Sequence, residues 1–546
     1  MKRFISVVFL LAAVFNLSAC TGNTEEIEWG DKKEIPDDRA ERIACYARFD
    51  GGFYDMPEER PAFSYMTYYA RKYFDLTGRK DRNRKLSLRN ENVQYIPSLE
   101  EQIKANDDIW GLWLDISCTY ESVKEDRELL KAVSENTRLN EILKFEEGGP
   151  FGNFADFYYA IEICELLNLE YDGDKAGQAM MSDISQRVYE NPSSKYSDLY
   201  MAYIMNKEYG VQANAEDLMA EGFAEYDREI RKYAEEGTLP IFMLNEYAVM
   251  GKAVSADMMK DSEILTLLEG YRDSMGAYGY LPCGENDISG NAMAVVTALE
   301  LTRLCGGEFD TAGPDVFFTS CERSDGTYAL PVVWEESEPD MTFFAMGCLN
   351  RLGSLDEETV KKYIDGNRQL SGDIFYDNIA ARAGIQVEID VSAAAEDISN
   401  GIRAEGRLFR AHLFLDTCRI MKAELSEEEK KSILDAAGEY KDFDEKYLSV
   451  FLEKRVTGSE EEYEGMKSEV LERISEMPLA SCQDIFYIMY ICENDETAAA
   501  ALSGQKFETA LERFLNHNRN SFGFYPGVRD YIATLGGIMA EQYIER

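Results

Sequence analysis

The chain of 546 residues has few basic residues, 2 histidines and 13 prolines. Its 57 Lys and Arg stand against 102 Asp and Glu, which gives a formal net charge of −45. Nucleic acids are bound chiefly by Lys and Arg that neutralise phosphates, so this composition excludes a nucleic-acid-binding protein. Apolar residues make up 45% of the chain, which is ordinary for a globular protein and excludes a disordered one.

Paired cysteines and long apolar runs are also missing. Ten cysteines follow Cys20, and none of them forms a C-x-x-C pair. A disulfide framework is typical of short secreted domains dense in cysteine, so these thiols are predicted to be small buried hydrophobes, and one or two disulfide bridges are the alternative. The apolar run from Phe4 to Phe15 has about 12 residues, whereas a transmembrane helix needs about 20. The sequence therefore predicts no retained transmembrane helix.

The N-terminus has the organisation of a bacterial export signal. Lys2 and Arg3 precede the apolar run, and Leu-Ser-Ala-Cys follows it at residues 17–20. This tetrapeptide resembles the lipobox of bacterial lipoproteins, in which the cysteine is acylated and becomes the mature N-terminus. The resemblance implies that residues 1–19 are a signal peptide and that a lipid on Cys20 anchors the protein to the bacterial membrane, outside the cytoplasm. The alternative is an ordinary secretory signal followed by a coincidental cysteine.

Residues 20–40 are polar, acidic and poor in apolar groups. This composition is typical of a flexible tether, and the alternative is an arm that packs on the body through Trp29. Loss of Lys2 and Arg3 leaves 55 basic and 102 acidic residues, a net charge of −47, which anionic lipids would repel. The roughly 500 residues that remain are more than a single hydrophobic core usually organises, so two or more cores are predicted.

A repeated unit organises the rest of the chain. Two copies share a Gly-aromatic loop, an aromatic-Ala pair and a glycine: 50–53, 68–70 and 78 in one, and 325–328, 343–345 and 353 in the other. The aromatic residue precedes Ala by 17 residues and Ala precedes Gly by 8 residues in both copies. A third copy runs through Tyr280, Ala298 and Gly306 with spacings of 18 and 8. Agreement at three positions indicates a structural repeat.

Each copy predicts a tight loop with a buried ring, an apolar inner helix, a glycine stop and an amphipathic outer helix. The chain is therefore predicted to be all-α, with about eleven or twelve αα hairpins. Further inner helices are predicted at 107–120, 157–169, 197–209, 241–254, 408–423, 481–493 and 531–544. Only 384–391, where Ile and Val alternate, predicts a short strand.

The three copies resemble the repeat of the protein prenyltransferase and squalene cyclase superfamily. In that superfamily hairpins close into an α/α toroid around a central cavity. The resemblance implies two toroids, at residues 41–310 and 311–546, with the helices broken near Gly306 and Gly313. The alternative is an open solenoid of α-hairpins that never closes.

Two motifs of that superfamily are matched only in part. Asp-Phe-Asp-Glu at 442–445 departs from the cyclase D-x-D-D at its last position and is typical of the acidic first turn of a helix. Asp416 and Cys418 match the D-x-C step of the prenyltransferase zinc site, with His412 one turn earlier. Because residues two apart on a helix diverge, the alternative is a hydrogen bond between His412 and Asp416 and a buried Cys418.

Cys283 begins a segment similar to the thioester pentapeptide of the complement and macroglobulin family, but Asn286 stands where that bond needs glutamine. No catalytic residue, metal site or cofactor is predicted.

Acids near the starts of the inner helices are candidates for a ligand site. In the resembled superfamily these helix starts face the mouth of the cavity. The candidates are Asp156, Asp287, Asp340, Asp377 and Asp530, with Trp334 and Tyr280 beside them. For each of them, helix capping or core stacking is the alternative.

A repeat framework without the superfamily's catalytic motifs predicts a binding or interaction protein. Its ligand would be a glycan, a peptide or a hydrophobic small molecule. The alternative is a hydrolase or lyase of carbohydrates that uses carboxylates at the toroid mouth.

Overall fold

The computed structural model describes residues 35–48, 50–57, 60–78, 103–144, 154–284, 287, 289–331, 337–401, 404–438, 443–476, 482–525 and 530–545. These residues form 25 α-helices, a 3₁₀ helix at Arg368–Leu370 and isolated β-bridges, with no strand. The all-α prediction is confirmed. None of the described helices combines the length and the apolarity that crossing a bilayer requires.

The helices are labelled in chain order. The first thirteen are α1 Arg39–Ala44, α2 Ser64–Leu76, α3 Ile109–Glu125, α4 Arg127–Ser134, α5 Thr137–Ile142, α6 Phe154–Leu167, α7 Gly173–Gln186, α8 Pro192–Tyr209, α9 Glu216–Glu235, α10 Ile241–Ala253, α11 Asp261–Glu269, α12 Ala292–Leu304 and α13 Ala312–Thr319. The next twelve are α14 Pro339–Arg351, α15 Glu357–Gly366, α16 Ile374–Arg382, α17 Val391–Asn400, α18 Ala404–Met421, α19 Glu427–Ala437, α20 Phe443–Thr457, α21 Glu461–Glu476, α22 Cys482–Asn494, α23 Glu496–Leu502, α24 Gln505–Asn518 and α25 Asp530–Ile544.

The chain divides into two compact units. The first unit is Arg60–Glu335, and the second unit consists of the described residues before Arg60 and after Glu335. These limits differ from the ranges 41–310 and 311–546 predicted for two toroids. Arg39 and Ala40, which the predicted tether includes, already belong to α1.

In the first unit, six helices form a series of neighbours. The helix α2 packs on α3, α3 on α6, α6 on α8, α8 on α10, α10 on α12, and α12 packs on α2. The apolar composition of α12 explains its place in the series, since nine of its 13 residues are buried. The helix α9, which packs on α8 and α10, buries only Met219, Phe223, Tyr226 and Ile230 along one stripe.

The second unit repeats this arrangement. The helix α14 packs on α16, α16 on α18, α18 on α20, α20 on α22, α22 on α25, and α25 packs on α14. The short helix α1 packs on α14, and Arg39 is buried in an ion pair with Glu541 at 2.9 Å.

Four Gly-aromatic loops share one geometry. In each loop, a backbone hydrogen bond closes a tight turn that contains a glycine with φ between +77° and +82°. The aromatic ring two residues after this glycine is buried. The glycines are Gly51, Gly276, Gly326 and Gly523, and the buried rings are Phe53, Tyr278, Tyr328 and Tyr525. Only glycine adopts such φ values without strain. The position of this glycine therefore decides which aromatic residue of the loop is buried.

Two details differ from the predictions. The third repeat copy was placed at Gly279-Tyr280, but the turn is at Gly276, so Tyr278 is the buried ring and Tyr280 is 40% exposed. The strand predicted at 384–391 is wrong, because residues 385–390 form no ladder and Asp390 caps α17 instead.

The two best repeat copies exchange their loops. The amide of Phe53 donates to Thr342 Oγ1 in α14 at 2.9 Å, within the second unit. The amide of Tyr328 donates to Thr67 Oγ1 in α2 at 3.1 Å, within the first unit. Each loop therefore binds the first turn of the inner helix of the other copy, which explains why the units are not consecutive stretches of chain.

Candidate functional site

The candidate acids of the first unit, Asp156 and Asp287, accept hydrogen bonds from residues of that unit. Asp156 is the third residue of α6, and its Oδ2 accepts a 2.8 Å hydrogen bond from Arg138 Nη2. Asp287 is exposed in the loop before α12 and accepts from the Gly284 amide at 2.6 Å. The alternative that Asp287 caps α12 is wrong, because Asn291 caps this helix by accepting from the Ala294 amide at 3.1 Å. Asn caps as well as Asp and stands directly before the apolar run.

The second unit holds the other three acids. Asp340 is the second residue of α14, and Asp530 is buried at the first position of α25. Asp377 is the fourth residue of α16, whose cap is Asp373, and burial raises the pKa of Asp377. Trp334 lies outside the described residues.

Among the described candidates, Tyr280 belongs to an exposed aromatic surface. Its ring packs against Phe242 with centroids 5.3 Å apart, and its carbonyl accepts from the Ile241 amide at the start of α10. The loop thus fixes Tyr280 over the N-terminal end of an inner helix.

Exposed apolar side chains concentrate at this end of the first unit. Five of the eight exposed large hydrophobic side chains in the described part of the chain lie there: Phe63, Trp110, Tyr280, Leu281 and Leu330. We call Phe63, Tyr65, Trp110, Phe242 and Tyr280 the aromatic rim. Within it Phe63, Tyr65 and Trp110 are in contact, as are Phe242 and Tyr280, and adjoining exposed apolar side chains are typical of binding surfaces.

Side-chain contacts bring the helix starts together. The Tyr65 ring, near the start of α2, lies 6.1 Å from Trp110 at the start of α3. The Tyr65 hydroxyl donates to Asn291 Oδ1 at 2.8 Å, which joins α2 to the start of α12. A β-bridge between Gly279 and Gly290 places Tyr280 beside the same helix start. The aromatic rim therefore follows the N-terminal ends of α2, α3, α10 and α12.

Aromatic rings continue inward from the rim. Successive centroids lie 4.6–6.1 Å apart along the order Trp110, Tyr65, Tyr69, Tyr68, Trp113, Tyr159 and Tyr158. On α2 these tyrosines share one helical face with Lys72, because they are three or four residues apart. Lys72 pairs with Glu300 of α12 at 2.9 Å.

Glu162 of α6 lies at the inner end of this chain of rings. Its carboxylate accepts 2.7 Å hydrogen bonds from Trp113 Nε1 and the Tyr158 hydroxyl, and a further one from the Tyr209 hydroxyl. Three donors from three helices hold the carboxylate in one position. Burial and the neighbouring Glu162 charge raise the pKa of Tyr158.

Glu246 of α10 is a buried acid with an incomplete set of partners. Ser197 Oγ lies 3.4 Å from its Oε1, while Oε2 and the buried Tyr226 hydroxyl make no hydrogen bond with the described residues. Burial raises the pKa of Glu246 to about 8. The group is therefore protonated at neutral pH, which lowers the cost of burying it.

The second unit has a different interior. The rings of Phe343, Phe344, Phe375, Phe409 and Phe486 pack together with centroids 5.2–6.3 Å apart. Tyr487 and Tyr490 pack at the edge of this cluster, so its rings are mainly phenylalanine where the chain of rings in the first unit is made of Tyr and Trp.

An arginine joins His412 and Asp416, the two residues that partly match the zinc site of the resembled superfamily. Arg455 donates to Asp416 Oδ1 at 2.7 Å and lies 3.2 Å from His412 Nδ1, while His412 Nε2 lies 3.0 Å from the Leu448 carbonyl. Burial and the Arg455 charge lower the pKa of His412 to about 3, so the ring is neutral. Cys418 is buried, and in the described residues no group of three His, Cys, Asp or Glu side chains could hold a metal ion.

The remaining motifs fall partly outside the described residues. Asn286 and Asp442 lie there, and the helix α20 begins at Phe443, so the next two acids belong to its first turn as predicted. Cys283 Sγ lies 2.9 Å from Ser289 Oγ and donates to the Tyr271 carbonyl at 3.2 Å. Nine cysteines whose side chains the structure describes are free thiols, and the seven that are buried confirm the prediction.

Sequence reasoning missed most of the aromatic rim. Tyr65 and Trp110 are the second residues of α2 and α3. An aromatic residue in the first turn of an inner helix is therefore the sequence signal that could have identified the aromatic rim.

Comparisons with protein-family models, with curated proteins and with solved structures find no match to this chain. The resemblance to the prenyltransferase and cyclase superfamily therefore stays a prediction.

Proposed function

We propose that this protein is a lipid-anchored, extracytoplasmic binding protein that holds a neutral glycan on the aromatic rim of its first unit. The observation that carries the proposal is the concentration of exposed aromatic and apolar side chains at the starts of α2, α3 and α10.

The fold proposed for each unit is a closed α/α toroid. This is supported by the return of each helix series to its start, where α12 packs on α2 and α25 packs on α14. It is also supported by the contrast between α12, buried on most sides, and the one-sided burial of α9. An open solenoid has no reason to bring its first and last inner helices together.

The chemistry around the rim favours a sugar over a lipid or an apolar peptide. Sugar rings offer C–H faces to aromatic rings and hydroxyls to nearby polar groups. Both kinds of partner occur together here, since the Tyr65 ring lies beside Trp110, the Tyr65 hydroxyl donates to Asn291, and the adjacent Ser64 donates to Asp115.

The acidic residues of the first unit favour neutral glycans over anionic ones. Asp108 directly precedes α3, Asp115 lies in its second turn, and Asp156 lies in the first turn of α6. These acids and the net charge of −45 would repel anionic polysaccharides, so the preferred ligand is neutral.

A binding role accounts for the acids better than hydrolysis does. Asp156 is committed to Arg138, Glu162 to three donors and Asp287 to its own loop. A glycosidase needs two carboxyl groups free to exchange protons across a bound sugar.

A microarray of neutral and anionic glycans tests the proposal. We expect the detergent-solubilised protein to bind one or more neutral glycans and the variant Trp110→Ala to lose at least tenfold in affinity. The variant Ile385→Ala removes a side chain of similar exposure, 41%, in the second unit and serves as the control. Failure to bind any neutral glycan, or equal binding by Trp110→Ala, contradicts the proposal.

The anchor is proposed from Leu-Ser-Ala-Cys at residues 17–20, which lie outside the described residues. Two acyl chains hold a protein stably on a membrane, whereas one does so only marginally. We expect metabolic labelling with a radioactive fatty acid to mark the wild-type protein and not Cys20→Ala. Label retained in Cys20→Ala would place the lipid elsewhere, and an unlabelled wild type would remove the anchor.

A further inference from the structure

Three arginines of the second unit surround one buried carboxylate. Asp416 is 2% exposed at its side chain, and its Oδ1 accepts from Arg455 Nη2 at 2.7 Å and from Arg419 Nη2 at 3.1 Å. Arg382 Nη2 lies 4.0 Å from Oδ2, which the Tyr490 hydroxyl binds at 2.9 Å. We call Arg382, Arg419 and Arg455 the arginine cluster.

The positive charge of the arginine cluster exceeds what Asp416 neutralises. Three guanidinium groups stand against one carboxylate, and His412 beside them is neutral. Arg382 ends α16 and Arg419 lies in the last turn of α18, where each helix terminus contributes roughly half a negative charge. About one positive charge remains, in a chain whose net charge is −45.

Two members of the cluster face solvent. The side chains of Arg382 and Arg419 are 53% and 65% exposed, whereas Arg455 is 16% exposed. Within the described part of the chain, neither Nη atom of Arg382 makes a hydrogen bond, so the donors that suit a planar anion stay available.

Arg382 is held in place although it is exposed. Its Nε donates to Asn378 Oδ1 at 2.6 Å, and the buried Asn378 donates in turn to Thr417 Oγ1 at 2.9 Å. This support fixes the guanidinium before any ligand arrives, which reduces the entropy that binding must overcome.

We propose that Arg382 and Arg419 form a binding site for a small oxyanion, a phosphate or carboxylate group of a ligand, with Arg455 and Asp416 as its buried support. The buried ion pair supports the site from below, and the two exposed guanidinium groups, both next to Asp416, offer N–H donors to the oxygens of an anion. The site is separate from the aromatic rim and does not depend on glycan binding.

The test is a titration of inorganic phosphate with the intact protein, followed by the ³¹P line width at constant ionic strength set with sodium chloride. We expect saturable broadening with the wild type and at least a tenfold weaker apparent affinity for the double variant Arg382→Gln/Arg419→Gln. Sodium acetate as competitor reports whether a carboxylate occupies the same site.

Arg368→Gln is the control, because Arg368 is 77% exposed and paired with Asp365 in the same unit. Should the double variant unfold, the single variant Arg419→Gln replaces it, since its side chain is mostly in solvent. An absence of saturable broadening with the wild type overturns the proposal, and so does equal broadening with the folded variant.

Discussion

Arg455 donates a 2.7 Å hydrogen bond to the buried carboxylate of Asp416. The same guanidinium reaches His412 Nδ1 and the Tyr490 hydroxyl, so one side chain connects α18, α20 and α22. Such a pair costs free energy to bury, but removal of Arg455 costs more because the buried Asp416 carboxylate then keeps only the largely exposed Arg419 and Arg382 as charged partners.

Arg455→Met is therefore expected to destabilise the second unit by about 3 kcal/mol. The matched control is Lys430→Met, which removes an exposed ion pair with Glu427 and is expected to cost less than about 1 kcal/mol. Urea unfolding of both variants gives the comparison. Equal losses would show that Arg455 has no special place in the fold.

Glu246 makes the stability of the first unit depend on pH. The folded carboxyl keeps its proton up to pH about 8, whereas a free Glu ionises near pH 4.5. Folding thus takes up a proton between these values, and the unfolding free energy falls by about 1.4 kcal/mol per pH unit as pH rises through this window. Glu246→Gln keeps the shape and is expected to remove this slope. Thermal unfolding at pH 5.5 and 7.5 measures it, and an unchanged slope in the variant contradicts the assignment.

Gly51 is required by packing as well as by its backbone. Gly51 and Gly353 have φ of +81° and +71°, so alanine is strained at both positions. A Cβ at Gly51 would come within 2.7 Å of the Tyr363 amide nitrogen, whereas one at Gly353 meets nothing within 4 Å. We expect Gly51→Ala to cost at least about 2 kcal/mol more than Gly353→Ala in chemical denaturation. Similar costs would mean that the loop moves to accept the methyl group.

Trp113 and Trp110 lie one turn apart on α3 but have different roles. Trp113 is 3% exposed and donates to Glu162, so Trp113→Ala leaves a cavity and an acid short of a donor. We expect a loss of about 3–5 kcal/mol. Trp110 is 38% exposed, and Trp110→Ala is expected to cost roughly 1 kcal/mol. Guanidinium unfolding compares the two, and a larger loss for Trp110→Ala would assign Trp110 to the core.

The inner helices could be predicted because their ends are marked in the sequence. The helix predicted at 241–254 is observed at Ile241–Ala253, since Pro240 fixes its start and the apolar run fixes its length. The register of the third repeat copy could not be predicted, because Gly276 and Gly279 are both followed closely by tyrosine and only the backbone turn distinguishes them.

The exchange of loops between the two repeat copies could not be predicted from the sequence either. Thr67 and Thr342 occupy the same position in their helices, so the sequence allows each loop to bind either helix. Only the folded structure shows which loop binds which helix. The periodicity on α2 marks Tyr65, Tyr68 and Tyr69 as one face. It does not say whether that face meets other helices or a ligand.

Native electrophoresis in gels that contain single soluble polysaccharides tests the central claim, that the aromatic rim binds a neutral glycan. The strongly acidic protein migrates readily, so retardation by a neutral polymer reports binding directly. We expect retardation of the wild type and of Ile385→Ala in at least one neutral gel, and free migration of Trp110→Ala in the same gel. Free migration of the wild type in every neutral gel, or retardation of Trp110→Ala as strong as that of the wild type, would contradict the claim.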